Sequence, residues 1–209
     1  MYSVITTAMN YGLDAIPVHV EADVSEGLPC FDMVGFLSNE VKEARDRVRT
    51  ALKNAGYPLP AKHITVNLTP ASLKKSGSSM DFPVAAALLS AFGIVAEGLL
   101  KDYVLLGEVS LNGRLLPADG VLSAAVMAKK EGFSGVIVPK ENAREAAILS
   151  DIRVIPVADL KEFVSLCRQE FDCDCFYRTA DPVWETAYSV DFSEIRGQEM
   201  VRRACEIAA

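Results

Sequence analysis

The pattern of hydrophobic and polar positions opens with two runs rich in β-branched residues, Tyr2 to Met9 and Ala15 to Val24, the second alternating only loosely. Tyr11-Gly12-Leu13-Asp14 between them supplies turn residues, so the two runs are expected to pair as a hairpin. Gly27 to Pro29 breaks the chain before a short third strand, Cys30 to Val34, ending at Gly35. His63 to Leu68 alternates with a period of two and predicts a further strand, closed by Thr69-Pro70.

The period becomes helical after Ser38. Val41, Ala44, Val48, Ala51, Leu52 and Ala55 recur on one face, which predicts a helix from an N-cap at Ser38 to about Ala55, closed by Gly56. Lys42, Arg45, Arg49 and Lys53 fall on one flank of that face, whereas Glu40, Glu43 and Asp46 lie around the other side. A solvated surface with pairs such as Glu43 to Arg47 accounts for this pattern. The functional alternative is a basic stripe for a phosphate backbone or a neighbouring subunit.

Between Lys74 and Gly93 a polar loop, Lys-Lys-Ser-Gly-Ser-Ser, opens into Val84-Ala85-Ala86-Ala87-Leu88-Leu89, which is apolar on every side. The expected helix runs from Met80 or Asp81 to Phe92, with Pro83 in its first turn and its body buried against a sheet. Tyr103 to Ser110 and Arg114 to Leu116 flank Leu111-Asn112-Gly113, a hairpin signal. Helices at Val121–Glu131, Ala143–Leu149 and Leu160–Gln169 then alternate with strands at Gly135–Val138 and Val154–Val157. An α/β fold with a mixed sheet follows. From Phe171 to Ser189 the periodicity fails, so residues 171–190 read as a linker between a domain at 1–170 and a new amphipathic segment at 191–209. That segment stops without a C-cap, and the chain is expected to be part of a longer protein.

Composition narrows the classes. The 209 residues are half hydrophobic, enough for one domain with a core, and the net charge of −7 argues against a bulk nucleic-acid coat while leaving a local basic patch open. The cysteine count is odd, at five, and there is neither a signal-peptide pattern nor an apolar run of membrane-spanning length, so a reduced, cytoplasmic protein is expected.

Chemistry is sparse. His19 and His63 lie in separate strands as pleat residues, and Cys173-Asp-Cys175 lacks the second pair that a zinc site needs, so no metal is expected. No phosphate-binding glycine motif is present, and Asp81 would occupy the helix start that a phosphate would need. Ser78 or Ser79 beside Lys74-Lys75 invites a Ser-Lys hydrolase, but lysines in an exposed-looking loop would stay charged and could not take a proton.

From Gly107 to Asn142 the chain reads Gly-Glu-Val-Ser-Leu-Asn-Gly-Arg-Leu-Leu-Pro-Ala-Asp-Gly, a helix, then Gly-Val-Ile-Val-Pro-Lys-Glu-Asn. This resembles the proteolytic domain of Lon-type proteases and the matching domain of RadA-type recombination proteins, which implies a ribosomal-protein domain 2-like βαβ fold. By that resemblance Ser79 stands where the attacking serine would be. Leu122, five residues after Pro117, stands where the lysine base would be. Ser79 is then a relic or a helix cap, and no catalytic residue is expected.

Tyr11-Gly-Leu, Val20-Glu-Ala-Asp-Val, Gly27-Leu-Pro, Asn67-Leu-Thr-Pro-Ala and Asp81-Phe-Pro-Val-Ala, with the helix at Val41, resemble the ComM/YifB family of magnesium-chelatase-like AAA+ ATPases. The tail from Asp191 is similar to the start of that family's ATPase module. The resemblance implies a hexameric ring acting on DNA, associated with branch migration in natural transformation. It puts Ile195, Gly197 and Gln198 against adenine and implies ATP and Mg for the whole protein. No cofactor is expected in this stretch, because the phosphate loop would follow Ala209. Lys42, Arg45, Arg49 and Lys53 are the candidates for DNA or subunit contact. A Lon-type peptidase using Ser79 and a purely structural oligomerisation domain are the rivals.

Overall fold

The computed structural model describes residues 1–169 and 194–208, the side chain of Glu97 excepted. These fall into two units, one within Met1–Arg178 and one within Thr179–Ala209.

The expected hairpin forms. Strand β1 (Tyr2–Tyr11) turns at Gly12-Leu13 into β2 (Asp14–Ser25), antiparallel in the register Tyr2↔Asp23 to Tyr11↔Asp14. The third strand, β3 (Cys30–Val34), does not extend this meander. It pairs in parallel with β4 (His63–Thr69), and β4 pairs antiparallel with β2, so β3 lies at the edge. The connection from β3 to β4 is helix α1 (Asn39–Asn54), whose Ser38 cap accepts a hydrogen bond from the Val41 N–H. The seven-stranded mixed sheet continues on the other side of β1 through the parallel strands β5 (Tyr103–Leu105), β8 (Gly135–Pro139) and β9 (Arg153–Val157).

Helices pack on both faces of the sheet, as its parallel strands β5, β8 and β9 require. On one face Val18, Val20, Ile64 and Leu68 join α1, α2 (Asp81–Ala91) and α6 (Leu160–Arg168) in the larger core. Within it, the rings of Phe82 and Phe163 meet edge-on at 4.9 Å. On the other, α4 (Val121–Lys130) and α5 (Ala143–Ala146) pack over Ala8, Val104, Val136 and Val154. All eleven residues of α2 are buried, in keeping with a helix that has no polar face. The outer face of β2, β4 and β3 carries the alternate, polar positions, among them His19, Asp23, His63 and Asp32, which are half-buried or exposed.

Tyr103 to Ser110 is not one strand. After β5 the chain leaves the sheet at Leu106-Gly107, and β6 (Glu108–Val109) pairs with β7 (Leu115–Leu116) across the Asn-Gly turn as a separate ribbon. The departure is forced by Gly107, whose N–H donates to the Ser79 carbonyl and whose carbonyl accepts from the Phe82 N–H. With φ at +153°, a Cβ here would sit 3.1 Å from Pro139 Cγ, so any other residue would be both strained and crowded. A single helical turn, α3 (Glu97–Leu100), has no counterpart in the sequence reading, being too short for a period to show. Residues 171–190, read as a linker, lie outside the described residues.

In that second unit α7 (Glu199–Ala208) is the expected amphipathic helix; every described residue of it is exposed. Ile195, Gly197 and Gln198 lie in the loop ahead of it, with left-handed backbone at Gly197 (φ +71°) and Gln198 (φ +55°). No helix among the described residues is long and apolar enough to cross a membrane.

Candidate functional site

The loop before α2 is held by its neighbours on three sides. Lys75 forms a parallel bridge with Leu37, its N–H donating to the Phe36 carbonyl (2.8 Å) and its carbonyl accepting from the Ser38 N–H (2.9 Å). The Ser78 hydroxyl donates to the Glu108 carboxylate from β6. Gly107 ties down Ser79 and Phe82, as described above.

The loop does not leave both lysines in solvent. Lys74 is exposed, but the Lys75 side chain is wholly buried, and its ammonium donates to the Pro70 carbonyl. Burial pushes the Lys75 pKa below its ordinary value. The expectation of an exposed Lys75 fails because the bridge to Leu37 carries this residue under the start of α1, a contact between segments far apart in sequence.

Ser79 lines a polar cleft of about 310 Å³ with Asn10, Ser78, Glu108, Pro117 and Asp119. Ser79 does not cap α2; the cap position is Met80, in helical conformation and without a side-chain bond. Among the described residues no side chain hydrogen-bonds the Ser79 hydroxyl. Leu122 lies outside this cleft. It lines a separate groove with Leu13, Val126 and Met127, and its N–H donates to Glu145 Oε1 at 3.0 Å. The floor near the start of α4 is instead occupied by Asn10, whose Nδ2 donates to the Asp119 carbonyl (3.0 Å). Gly120 makes this possible, since a Cβ there would fall 1.9 Å from Asn10 Nδ2.

Behind the loop, Asp81 is fully buried and takes a two-point ion pair from Arg47 of α1, Nε to Oδ2 at 2.8 Å and an Nη to Oδ1 at 2.9 Å. The expected Glu43–Arg47 pair exists at 3.7 Å but is secondary. Burial pushes the Asp81 carboxyl above its ordinary value, only partly offset by Arg47 and the Val109 N–H, while Asp81 holds the Arg47 guanidinium up. A lone carboxylate heading an apolar helix was the sequence signal for such a partner.

The basic stripe divides. Arg45 is bound by the neighbouring Asp46 at 3.2 and 3.1 Å, so the separation of signs along α1 is incomplete. Arg49 lies over the Phe31 ring, 5.9 Å from its centroid. Arg49 and Lys53 line a groove of about 300 Å³ with Pro29, Pro58, Leu59 and Lys62, whereas Lys42 and Arg45 do not reach it. Lys42 and Lys53 have no ion-pair partner among the described residues. Lys62, which the helix pattern could not include, is paired with Glu26 at 2.7 Å.

His19 and His63 both lie in strands, as expected. His19 Nδ1 is 3.2 Å from the Thr6 hydroxyl. His63 is set beside Cys30 and Asp32, with donor atoms of the three within 4.8 Å of one another. Burial and Asp32 raise the Cys30 thiol pKa. Cys173 and Cys175 lie outside the described residues.

Residues 20–142 match the family model described as "Subunit ChlI of Mg-chelatase". The chain is 39% identical over 207 residues to the uncharacterised protein YifB of Escherichia coli, covering 99% of this chain and 40% of that protein. It is 34% identical over 213 residues to the competence protein ComM of Haemophilus influenzae, covering 99% of this chain and 41% of that one. It is also 30% identical over 166 residues to the Lon protease of Mycolicibacterium smegmatis, covering 74% of this chain and 21% of the protease. The chain thus spans about two fifths of the length of the YifB and ComM proteins it matches. The mixed sheet, the Ser79 loop stitched to Gly107 and these matches together assign the chain to the magnesium-chelatase-like family that includes YifB and ComM, with a Lon-like α/β domain.

Proposed function

We propose that this domain is non-catalytic and serves a DNA-processing AAA+ ATPase through ring assembly or DNA contact. The observation that carries the reading is the state of the Ser79 loop. An acyl-transfer serine needs a base within hydrogen-bond reach. Ser79 has none among the described residues, the Lys75 ammonium is engaged by the Pro70 carbonyl, and Leu122 lies in another groove. The loop is scaffold. ATP and Mg belong to the whole protein, a hexameric cytoplasmic ring on this reading, with Ile195, Gly197 and Gln198 beside the nucleotide. Within the domain, the groove lined by Arg49 and Lys53 offers cations to a phosphate backbone or to a neighbouring subunit.

The test reverses Lys42, Arg45, Arg49 and Lys53 to Glu in the full-length protein and measures binding to labelled DNA across a salt series. Loss of binding with a flattened salt dependence supports DNA contact. Unchanged binding removes it, and sizing of the rings then decides whether the stripe serves assembly. The peptidase alternative is favoured by the Ser79-lined cleft and the Lon similarity. Labelling of Ser79 by a serine-directed fluorophosphonate would overturn the non-catalytic reading.

A further inference from the structure

The outer face of the β3 edge carries three side chains that no role above absorbs. In the parallel ladder Cys30 is in register with His63, and Asp32 follows Cys30 two residues on. Strand alternation sends Phe31 and Ile64 into the core, at 4% and 1% exposure, and therefore sends Cys30, Asp32 and His63 together to the opposite face. Their donor atoms, one sulfur, one imidazole nitrogen and one carboxylate oxygen, lie within 4.8 Å of one another.

We propose that Cys30, Asp32 and His63 form a binding site for a zinc-class divalent ion, with the fourth position open to water. A tetrahedral ion with bonds of about 2.0–2.3 Å separates its ligands by roughly 3.3–3.8 Å. The Cys30 Sγ is already 3.4 Å from Asp32 Oδ2, joined by the thiol proton. An ion takes the place of that proton, which leaves to solvent as the sulfur becomes a thiolate ligand. His63, its ring nitrogen within 4.8 Å of both other donors, supplies the third ligand.

The donor set selects the ion. Magnesium and calcium prefer all-oxygen shells, whereas a thiolate with an imidazole suits zinc and its neighbours. No competing cation is bound in the cluster among the described residues. Arg45, whose charge is felt by Asp32, is held by Asp46, and Lys62 beside His63 is held by Glu26. Glu21 on β2 adds negative charge to the same sheet face, whereas Asp23 there is met by the Met1 ammonium at 3.7 Å. Asp32 is exposed and the other two are half-buried, so an ion can enter from solvent. Bound there, it clips the edge strand to its neighbour, and it stabilises the fold by mass action.

The experiment uses the whole chain with Cys173, Cys175 and Cys205 changed to Ser, leaving Cys30 and the buried Cys167. Titration with cobalt(II) is followed by the thiolate-to-cobalt charge-transfer band, and zinc(II) affinity by competition. A saturable band that Cys30→Ser abolishes, with zinc affinity reduced about tenfold or more by His63→Ala and by Asp32→Asn, is the expected result. Zinc should also raise the melting temperature of the background protein and slow alkylation of Cys30, two readouts that need no further substitution. Absence of the band at stoichiometric cobalt, its survival in Cys30→Ser, or alkylation of Cys30 at an unchanged rate under zinc overturns the site.

Discussion

Arg47 and Asp81 give the domain an asymmetric weak point. Asp81 is wholly buried, whereas Arg47 retains a quarter of its side-chain surface. Replacing Arg47 by Met leaves a carboxylate in the core with little beyond a backbone N–H to compensate it. Breaking a buried pair in this way costs about 3–5 kcal/mol. Replacing Asp81 by Asn instead leaves a guanidinium that still donates to the Glu40 carbonyl at 3.0 Å, approaches Glu43 at 3.7 Å and reaches water. That loss should be smaller, about 1–2 kcal/mol. The double variant should fall short of the sum by roughly 1 kcal/mol or more, the two groups being in contact. Urea unfolding followed by far-ultraviolet circular dichroism measures all four proteins.

Acid sharpens the prediction. Burial places the native Asp81 pKa above its unfolded value, so this group's contribution is greatest below the unfolded value of about 3.9 and declines as pH rises through the native one. Without Arg47 the native value moves further up. The deficit of Arg47→Met is therefore complete at neutral pH and shrinks on acidification. An Asp81→Asn loss equal to or larger than that of Arg47→Met, or a deficit indifferent to pH, refutes the reasoning.

Lys75→Met removes a buried ammonium and returns the carbonyl of the exposed Pro70 to water, so neutral-pH stability should hold or rise by about 1 kcal/mol. Because the native Lys75 pKa is depressed, the wild type gains stability between that value and the unfolded value of about 10.4, and the gap between the two proteins should close as pH rises; a large neutral-pH loss in the urea midpoint would contradict this. Gly107→Ala, meeting Pro139 Cγ at 3.1 Å with φ at +153°, should cost about 1–3 kcal/mol in the same assay. Gly132→Ala, also at positive φ but with open space around it, should cost less.

The repeating patterns of the sequence were sufficient for most elements. The hairpin of β1 and β2, the capped α1, the buried α2 with its apolar body and the β-α alternation after Val121 each rest on a local pattern that the structure keeps. Local period fixes an element because every residue in it faces the same two environments. It also carried the α/β class and, through short motifs, the family. What it could not carry was partnership across the chain. Tyr103 to Ser110 has the residues of one strand, yet the contacts of Gly107 with Ser79, Phe82 and Pro139 split it. Lys75 sits in a polar loop and is buried because Leu37 bridges it. Arg47 looks like one more surface cation of α1 and is drawn to Asp81, the one charge in a buried helix. Cys30, Asp32 and His63 acquire a common face only through the parallel register of β3 on β4. These outcomes depend on distances between segments remote in sequence, and such distances are set by packing and ladder register, not by any period along the chain.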